Sequence, residues 1–238
     1  MWATENELRK YISFTPKINI GREGKGKKIL EILTRTIPNL NEYVVADLGC
    51  SNGIITKIIA SKVKFTYGFD LDISLTGNEE DLPNNLKFSM CNIQKCPLPD
   101  NSVDLIICNH VYYWFEQPEH LVAEIKRIIK PNGYVYFSGA TRFSINGEQG
   151  VLFAPIISNK NRRYWMRFFG KKDFFELNYF YPHQIVNLFS EFKNIGIFPY
   201  FVGMKKDKPK LIWNFVNLFS YISPTAVYLF KKEIKQYD

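Results

Sequence analysis

At 238 residues, with 46% hydrophobic and 16% aromatic side chains, the chain is too apolar for a disordered polymer and too short for two large domains. Its formal charge of +8 is uneven: residues 1–150 balance 17 Lys/Arg against 17 Asp/Glu, whereas residues 151–238 hold 14 against 6. A basic C-terminal part suits an anionic membrane surface, a phosphorylated substrate or nucleic acid, and equally an ordinary solvated face.

Four cysteines, Cys50, Cys91, Cys96 and Cys108, follow no paired metal-ligand spacing, so reduced thiols and no metal site are expected. No run reaches the roughly 18 apolar residues of a membrane-crossing helix, and no cleavable signal segment precedes the core. The expectation is a cytoplasmic protein with possible peripheral contact to a membrane.

Taken in order, residues 1–42 form a helical leader. Asn6 to Phe14 can make a short amphipathic helix with Leu8, Tyr11 and Ile12 on one side. The glycine-rich basic stretch from Gly21 to Gly26 reads as a flexible turn, followed by a helix with Ile29, Leu30, Leu33 and Ile37 inward that ends near Pro38. The order of its glycines and lysines does not match a P-loop.

The next stretch organises the chain. Val44-Val45-Ala46-Asp47 runs as a buried strand into the turn Gly49-Cys50-Ser51-Asn52-Gly53, and Ile54 to Ala60 follows as a helix. Further strands are expected at Val63–Asp70, Leu86–Cys91, Val103–Cys108 and from Tyr134, with a polar helix or turn crossing from Leu71 to about Asn85. The helix between the last two runs from Pro118 to Lys130, with Leu121, Val122, Ile125, Ile128 and Ile129 as its apolar stripe, and Pro131-Asn132-Gly133 stops it.

Strands alternating with helices predict an α/β fold, a mostly parallel sheet with helices on both faces. Asp47, Asp70, Asn92 and Asn109 then fall at or just beyond strand ends, on the rim where ligands bind in such sheets. Beyond Thr141 the rhythm breaks. Asn161 to Phe169, with Lys171, Lys172, Phe174 and Phe175, reads as an amphipathic helix or lid, and Pro182 to Phe192 as a helix. Ile195–Val202 and Ala226–Phe230 complete seven strands if they pair antiparallel, on either side of the basic, aromatic stretch from Lys205 to Pro224.

Asp47-Leu48-Gly49-Cys50-Ser51-Asn52-Gly53, Tyr67-Gly68-Phe69-Asp70, Met90-Cys91-Asn92-Ile93, Pro97 to Asp104, and Ile128-Ile129-Lys130-Pro131-Asn132-Gly133 stand in an order that resembles the Rossmann-like family of methyltransferases using S-adenosylmethionine. The resemblance covers roughly residues 42–140, in the small-molecule, quinone-biosynthesis-like branch, with a looser match in the last two strands. Ser51 stands where many members have glycine, and Asn92 replaces a common aspartate. The resemblance implies one methyltransferase domain over residues 1–238, with a cofactor-binding core at 43–140 and an insertion or lid over the acceptor site at 141–181.

It also implies roles. Asp47 orders the turn and accepts from, or offsets, the ammonium of the methionine portion, while Gly49, Ser51 and Gly53 let backbone approach the cofactor. Asp70, with Leu71 beside it, takes both ribose hydroxyls, for which a carboxylate's paired acceptors are suited. Asn92 and Ile93 border adenine, and Asn109 touches the methionine portion. Asp104, inside the fourth strand, is structural.

His110 is either a base that deprotonates a hydroxyl acceptor or a hydrogen-bonded structural residue. Tyr112, Tyr113 and Trp114 either wall the substrate pocket or pack against the next helix. Nucleic-acid amino-methyltransferases often have Asn or Asp, Pro, Pro, aromatic where this chain has Asn109-His110-Val111-Tyr112. That departure favours a small-molecule or lipid- or glycan-linked acceptor, methylated at oxygen, over RNA. A noncatalytic S-adenosylmethionine-binding scaffold is the remaining alternative, and the sequence does not fix an oligomeric state.

Overall fold

The structure, a computed structural model, describes residues 21–144, 151, 153–170, 177–199 and 225–233. The leader helix expected at Asn6–Phe14, the residues at 171–176 and the stretch at 205–224 lie outside the described residues. The elements in chain order are α1 (Arg22–Thr36), β1 (Val44–Leu48), α2 (Ile54–Ala60), β2 (Phe65–Asp70), β3 (Leu86–Met90), β4 (Val103–Asn109), α3 (Pro118–Ile128), β5 (Ile129–Ala140), α4 (Asn159–Phe168), α5 (Pro182–Leu188), β6 (Lys193–Pro199) and β7 (Thr225–Lys231).

Seven strands hydrogen-bond in the order β3-β2-β1-β4-β5-β7-β6. β1 pairs in parallel with β2 and β4, and β2 with β3. β6 and β7 run antiparallel, with a register shift between Asn194 and Gly196. The fold is therefore α/β with a mostly parallel sheet. β1 buries Val45, Ala46, Asp47 and Leu48 in succession, and β4 buries Leu105 to Cys108; an unbroken buried run is what a strand covered on both sides produces.

The chain folds as two compact units. One holds the described part of Ala3–Cys108 with His120–Val135; the other holds Asn109–Glu119 with Tyr136–Lys231.

In the first unit, α1 begins at Arg22, so Gly24 and Gly26 are helical and not the flexible turn expected from their spacing. Packing is the reason. Gly26 is buried, and a Cβ there would stand 2.7 Å from Ile58 Cδ1 of α2. The glycine lets the two helices approach, which offsets its helix penalty of about 1 kcal/mol. The crossing from Leu71 to Asn85 forms only one 3-10 turn, Glu79–Asp81. It is pinned by Lys57 Nζ donating to the Thr76 carbonyl at 2.7 Å and by the Asn85 amide donating to the carbonyls of Ala60 and Val63.

α3 presents Leu121, Val122, Ile125 and Ile128 as its buried stripe. It ends two residues earlier than its apolar periodicity predicts, and β5 begins at once at Ile129. Pro131-Asn132-Gly133 stops the helix as expected, yet it lies within the strand. Asn132 takes a φ of 64°, its N–H donates to the Lys232 carbonyl, and the Lys232 N–H returns to the Gly133 carbonyl. Buried Glu124 organises the loop before β4: Oε1 accepts from Cys96 N–H at 2.6 Å and from Arg127, which also reaches Asp100 and the carbonyls of Leu98 and Cys96. Asp104 takes the N–H of Val44 at 2.9 Å and pairs with Lys130, which gives it the structural place expected of it.

In the second unit, an aromatic core carries the architecture. Phe189 lies 5.0 Å from Phe137 and stacks on Phe230 at 4.4 Å between ring centres. Gln184 Oε1 accepts from the Tyr181 N–H at 2.9 Å and Pro182 takes the first helical position, which together start α5.

Candidate functional site

In the first unit β1 runs into a turn where three residues take left-handed φ values: Gly49 at 85°, Ser51 at 50° and Gly53 at 73°. The N–H groups of Gly49 and Cys50 both donate to the Phe69 carbonyl, at 2.7 and 3.0 Å, folding the turn across the end of β2. Ser51 takes the left-handed conformation although it is not glycine, at a cost of roughly 1 kcal/mol. Its N–H donates to Asp70 Oδ2 at 2.7 Å, a charge-assisted bond that offsets that cost.

Asp70 closes β2 and is 8% exposed. Burial pushes its pKa up, and the N–H groups of Ser51, Asp72 and Leu71 pull it back down. Asp72, its neighbour in sequence, instead accepts from the Ser74 N–H at 2.8 Å and shapes the next turn. Arg22, at the start of α1, donates to Asn52 Oδ1 at 3.1 Å. Burial lowers its pKa, and the nearby Asp70 carboxylate raises it.

Asp47 sits one residue inside the end of β1, paired in register with Gly68 and Ile107. It is 3% exposed, and its Oδ2 accepts from Thr56 Oγ1 at 2.6 Å. Burial pushes its pKa up to about 7; the Thr56 bond works against that rise and Asp70 adds to it. Two carboxylates whose charge is disfavoured by burial gain from a ligand that brings hydrogen-bond donors and positive charge. A ribose diol, an ammonium and a sulfonium meet that description.

Beyond β3, Asn92 is exposed and its Oδ1 accepts from the Gln94 N–H at 3.0 Å, while Ile93 is buried below it. The side-chain amide is thereby turned into a local bend, leaving Ile93 as the apolar member of the pair. Arg22, Thr56 and Glu124 are the polar groups that sequence reasoning passes over. Thr56 alone carried a signal, as a hydroxyl inside the apolar run of α2.

The second unit holds Asn109, expected at the methionine portion, and the residues expected at the acceptor end. Asn109 Oδ1 accepts from Ser138 Oγ at 2.8 Å. His110 takes a φ of 60°, a strained value for histidine, and its N–H donates to the Ser138 carbonyl at 2.8 Å. Its Nδ1 lies 3.2 Å from the Tyr113 hydroxyl. Tyr112 is fully buried: it stacks on Phe137 at 5.1 Å and its hydroxyl donates to the Ala140 carbonyl at 2.6 Å. Tyr113 is buried as well and stacks on Tyr179, whereas Trp114 is half-buried. The first two rings are thus occupied by packing, and His110 and Trp114 keep exposed surface.

All four cysteines are free. Among the described residues no group of three or more His, Cys, Asp or Glu side chains could hold a metal ion, and no helix is long and apolar enough to cross a membrane.

Residues 46–137 match a family model described as a methyltransferase domain. A malonyl-[acyl-carrier protein] O-methyltransferase from Marinomonas sp. (strain MWYL1) is 30% identical over 124 residues, covering 50% of this chain and 46% of that protein. The chain spans about half the length of the curated relatives it matches. Among solved structures, a SAM dependent methyltransferase from Aquifex aeolicus aligns with a TM-score of 0.55 at 15% identity, covering 94% of this chain and 97% of that one. The N-methyltransferase NodS from Bradyrhizobium japonicum WM9, in complex with S-adenosyl-l-homocysteine, aligns with a TM-score of 0.57 at 13% identity, covering 91% and 89%. These two likenesses concern the fold. The family match is more telling, because it begins at Ala46 in β1 and closes at Phe137 in β5 and so contains the glycine turn and both buried acids. Residues 46–137 are thus similar to a methyltransferase domain, and the fold around them is one shared with S-adenosylmethionine-dependent methyltransferases.

Proposed function

We propose that the chain transfers the methyl group of S-adenosylmethionine to an oxygen atom of a small molecule, or of an acyl, lipid or glycan group carried on a larger one. Asp70 carries this assignment: a buried carboxylate at the end of β2, already held by the Ser51 N–H of the glycine turn, is placed to accept a diol. Transfer to oxygen is supported by the relative named for a malonyl-[acyl-carrier protein] acceptor and by the departure of Asn109-His110-Val111-Tyr112 from the nucleic-acid pattern. In this reading the helices cover both faces of the sheet, as the unbroken burial of β1 supports.

When bound, S-adenosylmethionine supplies a methyl already activated as a sulfonium substituent. The chain's task is then to hold, orient and exclude water. Asp70 and Leu71 hold the ribose end, with Arg22 fixing Asn52 and tempering the charge on Asp70. Asp47 offsets the ammonium, Gly49, Ser51 and Gly53 bring backbone close, Asn92 and Ile93 border adenine, and Asn109 holds the methionine portion. Trp114 borders the acceptor, with Tyr113 packed beside it and Tyr112 packed in turn on Tyr113.

His110 serves as base for acceptors that arrive protonated. That role requires a particular tautomer. If the Tyr113 hydroxyl accepts from Nδ1–H, the lone pair stands on Nε2 and the ring can take a proton; the reverse arrangement leaves Nε2 as a donor.

Calorimetry with S-adenosylmethionine tests the assignment. Saturable binding by the intact chain, weakened about 10- to 100-fold in Asp70→Ala through loss of charge-assisted hydrogen bonds, is expected. Equal affinity in the variant, or no binding by folded protein, would refute it. Incubation with methyl-labelled cofactor and a panel of hydroxyl and carboxyl acceptors, read by mass spectrometry, then identifies the acceptor atom.

A further inference from the structure

Apolar exposure in the second unit is concentrated in one place. Of the eight exposed large hydrophobic side chains among the described residues, five (Phe153, Ile156, Tyr164, Phe168 and Phe169) fall on α4, the loop before it and the residue that caps its C-terminus. Two of them stand far out, Tyr164 at 72% and Phe168 at 80% exposed. Single exposed apolar residues need no explanation, but a cluster does.

The helix that carries them is firmly seated. Arg162 is buried, donating to the carbonyls of Ala154, Ile157 and Leu177, with its guanidinium 5.1 Å from the centre of the Tyr179 ring. Met166 packs with Val151 and Ala154 on the same side. Position 162 thus spends a cation on holding the helix, and the rest of the surface is left to face outward.

That surface divides into two stripes at helical spacing. Asn161, Tyr164, Trp165 and Phe168 follow i, i+3, i+4, i+7 and, with Ile157, line a groove of about 500 Å³. Lys160, Arg163 and Arg167 follow i, i+3, i+7 beside it and are exposed. No acidic residue occurs in α4. Trp165, Phe168 and Phe169 touch one another, at 5.2 to 6.1 Å between ring centres, so the aromatics form one projecting ridge.

The basic stripe sets the sign of the partner and the ridge sets its kind. Parallel aromatic and basic stripes meet a plane together, with rings at headgroup depth and cations level with lipid phosphates. Tyr164 and Phe168 stand out furthest beside that groove, and rings so exposed suit a fluid phase that yields to them. We propose that α4 docks on the surface of an anionic bilayer, inserting Tyr164, Trp165 and Phe168 and setting Lys160, Arg163 and Arg167 against lipid phosphates. This goes beyond the methyl-transfer assignment and does not depend on it.

The test is cosedimentation of the full chain with phosphatidylcholine vesicles, with or without a minor fraction of phosphatidylglycerol. Binding is expected to the anionic vesicles, at least about tenfold over phosphatidylcholine alone, and to weaken as salt is raised. Lys160→Glu with Arg167→Glu is expected to lower it at least about tenfold, since each cation near such a surface is worth about fivefold. Phe168→Ser is expected to lower it without loss of fold, because that side chain is 80% exposed. Lys62→Glu with Lys64→Glu, a charge-matched pair on exposed sites in the first unit, should change little. No vesicle binding, equal loss in both charge pairs, or full binding by the α4 variants would overturn the proposal. So would capture of an acidic carrier protein or RNA through α4 with no vesicle binding. Asp70→Ala should still sediment with vesicles, which separates failure here from failure at the cofactor site.

Discussion

Replacing Asp47 with asparagine should stabilise the ligand-free protein at alkaline pH and leave it unchanged in acid. Asparagine keeps an oxygen for the Thr56 hydroxyl, 2.6 Å away in the native chain, and removes the charge. The native carboxyl titrates at about 7 against an ordinary 3.8, because burial disfavours the anion. A carboxyl raised on folding binds its proton more tightly in the folded state. Its stabilising effect is therefore complete below about pH 4 and is lost as pH rises through 7. Just over three pH units at about 1.36 kcal/mol each put the loss at pH 8 on the order of 4 kcal/mol, and below about 1 kcal/mol at pH 4. Urea unfolding without cofactor at pH 4, 6 and 8 should show Asp47→Asn gaining stability over the native chain as pH rises. A variant less stable at every pH, or a difference that ignores pH, would refute the placement of an uncompensated buried acid. The same linkage reaches the ligand. A cation beside Asp47 favours its ionised form, so cofactor binding should release a proton below about pH 7 and weaken toward tenfold per unit as pH falls. Calorimetry in buffers of differing ionisation heat reads that proton, and Asp47→Asn should abolish it.

Glu124→Ala orphans the buried Cys96 N–H and removes one of the two carboxylates that hold Arg127; a loss of about 1–3 kcal/mol in thermal or urea unfolding is expected. His110→Ala should leave cofactor affinity intact and lower turnover about 10²- to 10⁴-fold on an alcohol acceptor. On a carboxylate acceptor, which arrives without a proton to remove, it should change turnover little. Equal losses on both acceptors would remove His110 as the base.

The parts of the fold legible in the sequence are those where burial writes directly into the residue pattern. β1 and β4 show as mainly apolar runs because Val45 to Leu48 and Leu105 to Cys108 are buried in succession, and α3 shows its stripe at helical spacing. What was missed depends on partners far along the chain. Gly24 and Gly26 carry the local signature of a turn, and the approach of Ile58 to the buried Gly26, which the helix interior accommodates, comes from 32 positions further on. Pro131-Asn132-Gly133 stops α3 as its chemistry demands, but the hydrogen bonds to Lys232 that draw it into β5 come from the other end of the chain. In the site, Asp70 was readable from its place at a strand end. Arg22 was not, since its partner Asn52 lies 30 positions away.

Phe88 of β3 has a consequence of its own. Its ring fills the space where a side chain would grow from Gly53, whose added Cβ would stand 2.5 Å from Cζ, and from Gly68, whose added Cβ would stand 2.5 Å from Cε1. Gly53 begins α2 and Gly68 pairs in register with Phe88 itself, so one ring occupies the volume of three positions drawn from a turn and two strands. Those positions cannot drift independently. A methyl gained at 68 overfills the site unless the ring at 88 shrinks, and a smaller residue at 88 leaves a void beneath the turn unless something grows to meet it. Residues 53, 68 and 88 are therefore one unit of inheritance, tolerant of coordinated exchange and resistant to single steps, and they set the floor on which the glycine turn rests.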